Sequence, residues 1–426
     1  MIGSLLAWLG WQAPPPVPLT SLDWAEVAAW PIPIAPDPAA PPAVRNYLQA
    51  LQSAGFSPRE QGVWVGSDWD EFASYQADLP LSAASLTKMA TTLAALQRWG
   101  YDHRYVTSLE TTGSISAGGT LEGDLIVRGG GDPLLVWEDA IAIGQALGKM
   151  GIARVAGDLI VVGPFEMNFD DEEDADPAAD FGQALDAEQW SEEITTQFAR
   201  MESALPPPRI EISGRVRRRA TGVKGRSLLT YKSLSLAEIL QQMNAYSNNV
   251  IAERLAAELG GGAAISRVAR AATEAPASEV QLQNGSGLGF DNRLSARAAA
   301  RLLPAIAREL QGTDLTLADL FPVGELNQFG TIEERSLPRG AAVKTGSLWR
   351  ASALAGAIPT EDRGWVYFAI VNQGTPIVPF RKAQDRLLAA LTQNWELAPV
   401  PPQLPPVRFG DLERVQSLEP LGVAEP

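Results

Sequence analysis

Cysteine is absent from the 426-residue chain. Without a thiol there is no disulfide framework, no thiolate metal site and no thiol nucleophile, and any redox compartment suits the chain. Histidine is almost absent too: His103 stands alone. A multi-histidine metal centre is therefore excluded. A Ser-His-Asp triad would have to be built on His103, which sits between Asp102 and Arg104 in a turn-like run and reads as a surface or packing residue. Positive charge is in short supply, with 34 Lys and Arg against 50 Asp and Glu and a net charge of −16. Nucleic-acid binding needs basic stripes to meet phosphates, so no nucleic-acid partner is expected. Long apolar runs are missing as well. Met1 to Trp11 is apolar but falls well short of the about 20 residues that a spanning helix requires. No Lys or Arg precedes Arg45, so the charged n-region of a secretory signal is not seen. A signal or anchor remnant, a loose or packed N-terminal segment, and a misplaced start are the readings for this stretch.

What the chain does have is a globular composition, 46% hydrophobic and 20% charged, and a length that predicts two or more domains. Residues 1–42 end in a proline-rich run that reads as an extended arm, and the proline-rich tail 398–426 reads as lying loosely on the surface. Helical spacing begins near Ala43, and Gln61 to Gly66 with Phe72 to Gln76 read as a hairpin. A helix then runs to Gly100, a C-cap. Between 102 and 232 the character changes to short β-like runs (Val106 to Leu109, Leu125 to Val127, Gly157 to Val162) around one helix-like stretch, Trp137 to Met150.

Three features of this middle segment invite functional readings. The glycine-rich Gly129 to Pro133 lacks the Lys-Ser/Thr of a P-loop and the spacing of a dinucleotide site, and reads as tight turns. Asp170 to Asp174 lacks the ligand spacing of a calcium loop and reads as a solvated loop. Arg215, Arg217, Arg218, Arg219, Lys224 and Arg226 form a basic cluster, suited to an internal charge contact or to a polymer-binding face. From Ser235, a capping-box match with Glu238, the pattern is helical again. Ala341 to Ser347, Ala351 to Ile358 and Gly364 to Val371 read as adjacent antiparallel strands, and Val378 to Leu397 as a closing helix.

The chemistry centres on Ser85. Lys88 lies three residues further along a predicted helix, hence on the same face. A serine hydroxyl needs a base to take its proton, and a lysine with a pKa lowered by desolvation can serve. Leu86, Met89, Leu93 and Leu96 supply an apolar stripe that would anchor this helix. Taken alone, Ser-x-x-Lys is equally a helix start with a solvated lysine, and Ser247-Asn248-Asn249 is equally a helix cap. Ser-x-x-Lys, then Ser-x-Asn, then Lys344-Thr345-Gly346, in that order, is far more specific.

With these motifs the chain resembles the low-molecular-mass, class C penicillin-binding proteins, D-alanyl-D-alanine carboxypeptidases/endopeptidases of the DacB type. Gly123-Asp124-Leu125, Gly130 to Pro133, Ala156 to Leu159, Asn284 to Leu288 and Lys344 to Leu348 with Leu354-Ala355-Gly356 all look like family stretches, and the similarity spans roughly Ala43 to Leu397. The resemblance implies an α/β (α+β) fold of the β-lactamase/transpeptidase-like kind, an antiparallel sheet between helical layers. It further implies a discontinuous catalytic domain (43–101 and 233–397) and an inserted, mostly β domain (102–232).

The site it implies has Ser85 as nucleophile and Lys88, kept neutral by burial near the cation Lys344, as base. Ser247 would relay the proton and Asn249 hold Lys88 and the substrate amide. Lys344 and Thr345 would meet the terminal carboxylate, Gly346 would let substrate lie along the strand, and the N–H groups of Ser85 and Ser347 would form the oxyanion hole. The implied partners are peptidoglycan peptides ending in D-Ala-D-Ala and β-lactams as covalent inhibitors, with no cofactor and no metal, in the periplasm or another extracytoplasmic space. Asn284, where an Asp is frequent, and the bulky Trp349-Arg350 depart from the family pattern and bear on substrate preference. The alternatives are a serine β-lactamase-like hydrolase, for which Glu325-Leu326-Asn327 is the nearest deacylating candidate, and a catalytically silent wall-binding protein.

Overall fold

A computed structural model describes residues 37–170, 175–201, 203–220, 223–327, 329–400 and 403–417. The expectations for Met1 to Trp11, for the arm up to residue 36 and for acidic residues 171–174 lie outside them. In chain order, helix α1 (Ala40–Ser53) and strands β1 (Gln61–Gly66) and β2 (Glu71–Tyr75) precede helix α2 (Thr87–Trp99). The middle segment follows with strands β3 (Val106–Thr111) and β4 (Leu125–Arg128), helix α3 (Trp137–Lys149), strand β5 (Leu159–Val162), helices α4 (Pro177–Ala184) and α5 (Glu192–Arg200), and strands β6 (Val216–Arg219) and β7 (Arg226–Lys232). Helices α6 (Leu236–Ala245), α7 (Asn249–Leu259), α8 (Gly261–Thr273) and α9 (Ala296–Glu309) come next. Strands β8 (Ala342–Leu348), β9 (Ala351–Thr360) and β10 (Gly364–Gln373), helix α10 (Val378–Thr392) and strand β11 (Val415–Ser417) complete the labelled elements.

The antiparallel sheet β8-β9-β10-β1-β2 lies between helical layers, as the resemblance implied. Alternation along β10 shows why, since side chains two apart share a sheet face. Val366, Phe368 and Ile370 join Val63, Val65, Leu354 and Ile358 against Val44, Tyr47 and Leu51 of α1 and Phe380, Leu387 and Leu391 of α10. Tyr367, Ala369 and Val371, with Ala353, Ala355 and Ala357 of β9, face the other way, toward α2, α6, α7, α8 and α9. The alanines on this second face leave room for α9 to pack close against the sheet. Each fully buried Phe or Ile stabilises the sandwich by roughly 1.5–3 kcal/mol. Helix α9 starts at the Ser295 cap, whose hydroxyl accepts from Ala298 N at 3.0 Å, and runs on through Pro304.

The middle segment builds a separate sheet, β6-β5-β4-β3-β7-β11, around its own core of Leu125, Val127, Leu159, Val161 and Leu229 with Ile141 and Leu147 of α3 and Phe181 of α4. It carries more helix than its glycine-punctuated sequence suggests. Strands β4, β5 and β6 are parallel neighbours, and parallel strands need crossover connections, usually helical. Helix α3 supplies the first crossover; α4 and α5 supply the second, and no expectation covered them.

The tail departs from its reading as a loose surface segment. Proline denies it regular structure of its own, yet Leu404, Val407 and Phe409 pack against the core shared by the helices of the second sheet face, and Leu404 N donates to Asp319 Oδ1 at 2.6 Å. Strand β11 then pairs with β7. Next to it the buried Arg414 guanidinium donates to Asp139 Oδ1 at 2.6 Å and to Tyr231 Oη at 2.7 Å, while Gly410 N donates to Asp139 Oδ1 at 2.8 Å. Removing one partner of a buried ion pair leaves the other uncompensated, at a cost of about 3–5 kcal/mol. Arg414→Ala is therefore expected to lower unfolding free energy by about 3 kcal/mol in a denaturant titration, with little change in the packing of the α1/α10 layer.

Candidate active site

Ser85 occupies a 3₁₀ turn, Ala84–Leu86, at the entry to α2. Leu86, Met89, Leu93 and Leu96 are buried in the core, as their spacing predicted, and fix the helix. One turn beyond the serine, Lys88 Nζ lies 3.1 Å from Ser85 Oγ, 2.8 Å from Asn249 Oδ1 and 2.8 Å from the Ser286 carbonyl oxygen. Burial pulls the Lys88 pKa down to about 7, against the opposing pull of the Glu253 carboxylate. Its three partners are all oxygens: as an ammonium the group can donate to each, and as a neutral amine it can give its two N–H groups to Asn249 Oδ1 and the Ser286 carbonyl and turn its lone pair to the Ser85 hydroxyl.

Ser247 sits between α6 and α7 with φ +55°, a left-handed conformation that is uncommon outside glycine. Asn248 Oδ1 caps α7 by accepting from Ile251 N at 3.0 Å, and Asn249 opens that helix toward Lys88. Behind Ser247, Lys344 Nζ is 3.1 Å from Ser247 Oγ and 2.9 Å from the Thr345 carbonyl. Lys344 is fully buried. Burial first, and then the nearby Lys88 amine, push its pKa well below the ordinary lysine value. The amine thus stands behind Ser247, with no surface exposed to meet a carboxylate directly.

Strand β8 brings the third motif alongside the serine. A Cβ on Gly346 would lie 2.6 Å from Ala83 O and 3.1 Å from Ser85 N, so the close approach of strand and turn requires glycine here. β8 is an edge strand. The Pro322–Gly324 stretch covers its beginning, where Val343 N donates to Pro322 O at 2.9 Å and Val323 bridges Ala342. From Thr345 on, no described strand pairs with its outer side. Ser347 is exposed, and its hydroxyl accepts from Arg381 Nη2 at 3.0 Å. Of the eight residues named for the site, Ser85, Lys88, Ser247, Asn249, Lys344 and Gly346 come together here, and Thr345 and Ser347 flank Gly346 on β8.

Two contributors escaped the motif reading. The Ser286 carbonyl is a direct partner of Lys88, and Glu253 on α7 holds the loop that presents it, accepting from Ser286 N at 2.9 Å and Gly285 N at 3.3 Å. The Asn284 to Gly289 run was the available signal: Asn284 Oδ1 accepts from Gly287 N at 2.8 Å to shape the turn. Other candidates stand apart. His103 packs among Trp99 and Tyr105. Asn327 Oδ1 accepts from Val323 N at 2.7 Å, which commits Glu325-Leu326-Asn327 to a turn at the start of β8. In the basic cluster, Arg217 pairs with Asp158 and Arg218 with Glu166.

A profile of the D-Ala-D-Ala carboxypeptidase 3 (S13) family matches residues 63–187 and 195–393. The chain belongs to this family. It is a serine-type D-Ala-D-Ala carboxypeptidase by that membership. A carboxypeptidase of Mycobacterium tuberculosis is 28% identical, over 89% of each chain. Carboxypeptidase DacB of Mycolicibacterium smegmatis is 27% identical, over 83% of this chain and 86% of its own. The fold is shared with a peptidoglycan endopeptidase of Bdellovibrio bacteriovorus (TM-score 0.68, 22% identity, 84% of this chain and 98% of the other). It is shared too with penicillin binding protein 4 of Haemophilus influenzae (TM-score 0.61, 19% identity, 81% and 99%).

A methyl group at Gly346 would have to push β8 away from the Ser85 turn, and overpacking of this kind costs about 1–3 kcal/mol. Gly346→Ala is expected to lose that much stability in a denaturant titration. A variant as stable as the parent would show that the approach is not tight.

Proposed function

We propose that the protein hydrolyses peptidoglycan stem peptides ending in D-Ala-D-Ala, and cross-links of the same chemistry, through an acyl-enzyme on Ser85. The observation that carries this reading is the 3.1 Å approach of the buried Lys88 amine to the Ser85 hydroxyl, with Asn249 and the Ser286 carbonyl placed to take both N–H groups of its neutral form. Ser85 Oγ attacks the scissile carbonyl carbon while its proton passes to Lys88 Nζ. The oxyanion that forms is met by the backbone N–H groups of Ser85 and Ser347, a kind of donor whose loss typically costs about 100- to 1000-fold in rate. Ser247, backed by Lys344, passes the proton to the departing amine, and Asn249 keeps Lys88 aligned and meets the substrate amide. The C–N bond breaks, D-alanine or the cross-linked strand leaves, and water attacks the ester to return Ser85 and free acid. A peptide laid along the open half of β8 adds as a further strand, with Thr345 and Gly346 beneath it.

The same nucleophile would open a β-lactam ring and remain acylated. A structurally similar B. bacteriovorus endopeptidase is known in a penicillin G-acylated form, which supports that reading. Action on the wall implies an extracytoplasmic site of action, and for a diderm cell the periplasm. The sheet organisation supports reading 43–101 with 233–397 as the catalytic unit and 102–232 as an insertion.

Mass spectrometry after incubation with monomeric and cross-linked muropeptides tests the activity. Loss of one D-Ala identifies a carboxypeptidase, splitting of dimers an endopeptidase, and neither removes the reading. Labelling by a fluorescent penicillin is expected to vanish in Ser85→Ala and to persist in Ser347→Ala, whose contribution is a backbone N–H.

The pH dependence follows from the lowered pKa of Lys88. Below about 7 the amine is protonated and cannot accept the hydroxyl proton, so the rate of penicillin acylation is expected to rise tenfold per pH unit up to about pH 7 and then level off. A rate still rising at pH 9 would mean that Lys88 is not the base.

A further inference from the structure

We propose that Arg381 determines specificity by receiving the α-carboxylate of the leaving D-amino acid, with Ser347 holding the guanidinium in place. The proposal rests on the reading of the site given above and names a recognition element for it.

Every substrate of that class carries a carboxylate one peptide unit beyond the scissile bond, on the side that leaves with the amine, and it must meet a donor near the end of the open strand. Lys344 is sealed behind Ser247 and fully buried, so the motif lysine offers it no direct contact. Thr345 and Ser347 fall on one face of β8, because side chains two apart along a strand point the same way. On that face stands Arg381, in the first turns of α10, its Nη2 3.0 Å from Ser347 Oγ. A guanidinium has five N–H donors in a fixed fork suited to a carboxylate, and this hydroxyl is the one side-chain partner of Arg381 among the described residues. No described carboxylate lies within ion-pair reach of it.

The placement of the cation makes the same point. The N-terminus of a helix carries positive partial charge, so acidic groups are favoured there and basic ones disfavoured. The first turn of α10 has no acidic residue, and Arg381 with Lys382 follows directly. Among the described residues no carboxylate forms an ion pair with Arg381, and an anion docked at the end of β8 would meet its charge. Arg381 is half-buried, and its contact with Ser347 lies at the exposed surface, within reach of a ligand. Arg350 lies on the turn after β8, but it is exposed and its guanidinium stands 6.0 Å from the centroid of the Trp349 ring, which leaves Arg381 as the cation fixed on the strand.

The test compares a peptide ending in D-Ala-D-Ala with the same peptide ending in D-Ala-D-alaninamide, with turnover of the slower amide followed by mass spectrometry at high enzyme concentration. In Arg381→Ala, kcat/KM for the acid is expected to fall about tenfold, mostly through KM, as for loss of one charge-assisted hydrogen bond. The amide is expected to change less than twofold, and Arg381→Lys to recover part of the loss for the acid. Penicillin, which bears a carboxylate, should acylate Arg381→Ala about tenfold more slowly. An equal fall for acid and amide would make Arg381 a structural support only, and no fall for either would remove it from recognition; both overturn the proposal. A parent enzyme that neither cleaves the acid nor is acylated would instead overturn the reading of the site itself.

Discussion

A primary amine taken out of water sets the terms for this molecule. Burying a lysine stem among Leu86, Met89 and their neighbours makes the charged form expensive, and the chain resolves that expense with three partners, two of them drawn from remote places. Asn249 is 161 residues away in sequence and Ser286 is 198. Helix α2, the α6–α7 junction and the loop after α8 must all be in position before the amine is satisfied. The second amine, on Lys344, is fully buried, and after that burial the nearby Lys88 amine further lowers its affinity for a proton. Two neighbouring buried ammonium groups would repel, so the site disfavours the doubly charged pair.

That convergence needs surfaces that come unusually close. Small residues provide them at each contact. Gly346 lets β8 run beside Ser85, and Gly287, with φ +82°, passes so near Ala84 O that a Cβ could not be placed there. Alanines along β9 and β10 admit α9 to the sheet. The opposite face of the same sheet is filled with Phe, Ile and Leu, so one layer holds the sheet stiff while the other brings the chemistry near. Gln373, at the end of β10, donates to Ser82 O at 2.8 Å and ties the central strands to the turn that carries Ser85.

The parts of the site legible in the sequence were those with a residue-type signature at short range. Ser85 and Lys88 are related by one helical turn; Ser247 and Asn249 by a cap and the helix it opens; Lys344 to Gly346 by a strand. Their convergence was legible through the order of the three motifs. The Ser286 carbonyl was not, since a backbone oxygen has no letter of its own, and Glu253 supports it from a helix face that looks merely solvated. The seclusion of Lys344 depends on tertiary packing by Ser247 and was likewise hidden. Three antiparallel strands between 342 and 373 were readable from their alternation. Helices α4 and α5 were not, because α5 buries little apolar surface beyond Ile194. The docking of the tail was masked by composition, since proline signals an absence of helix and strand but says nothing about adhesion.

The strap formed by residues 403–417 has a consequence for how the molecule is made. Arg414 lies 275 residues after Asp139, and β11 closes the edge of a sheet whose other strands are translated long before it. Contacts of such separation pay their chain-closure entropy late, so the middle segment waits with a bare strand edge and an unneutralised buried aspartate while the catalytic sheet is synthesised. Completion of one layer thereby reports on completion of the other, and a polypeptide interrupted before residue 414 would carry its Ser85 constellation on a body whose second sheet had never been sealed.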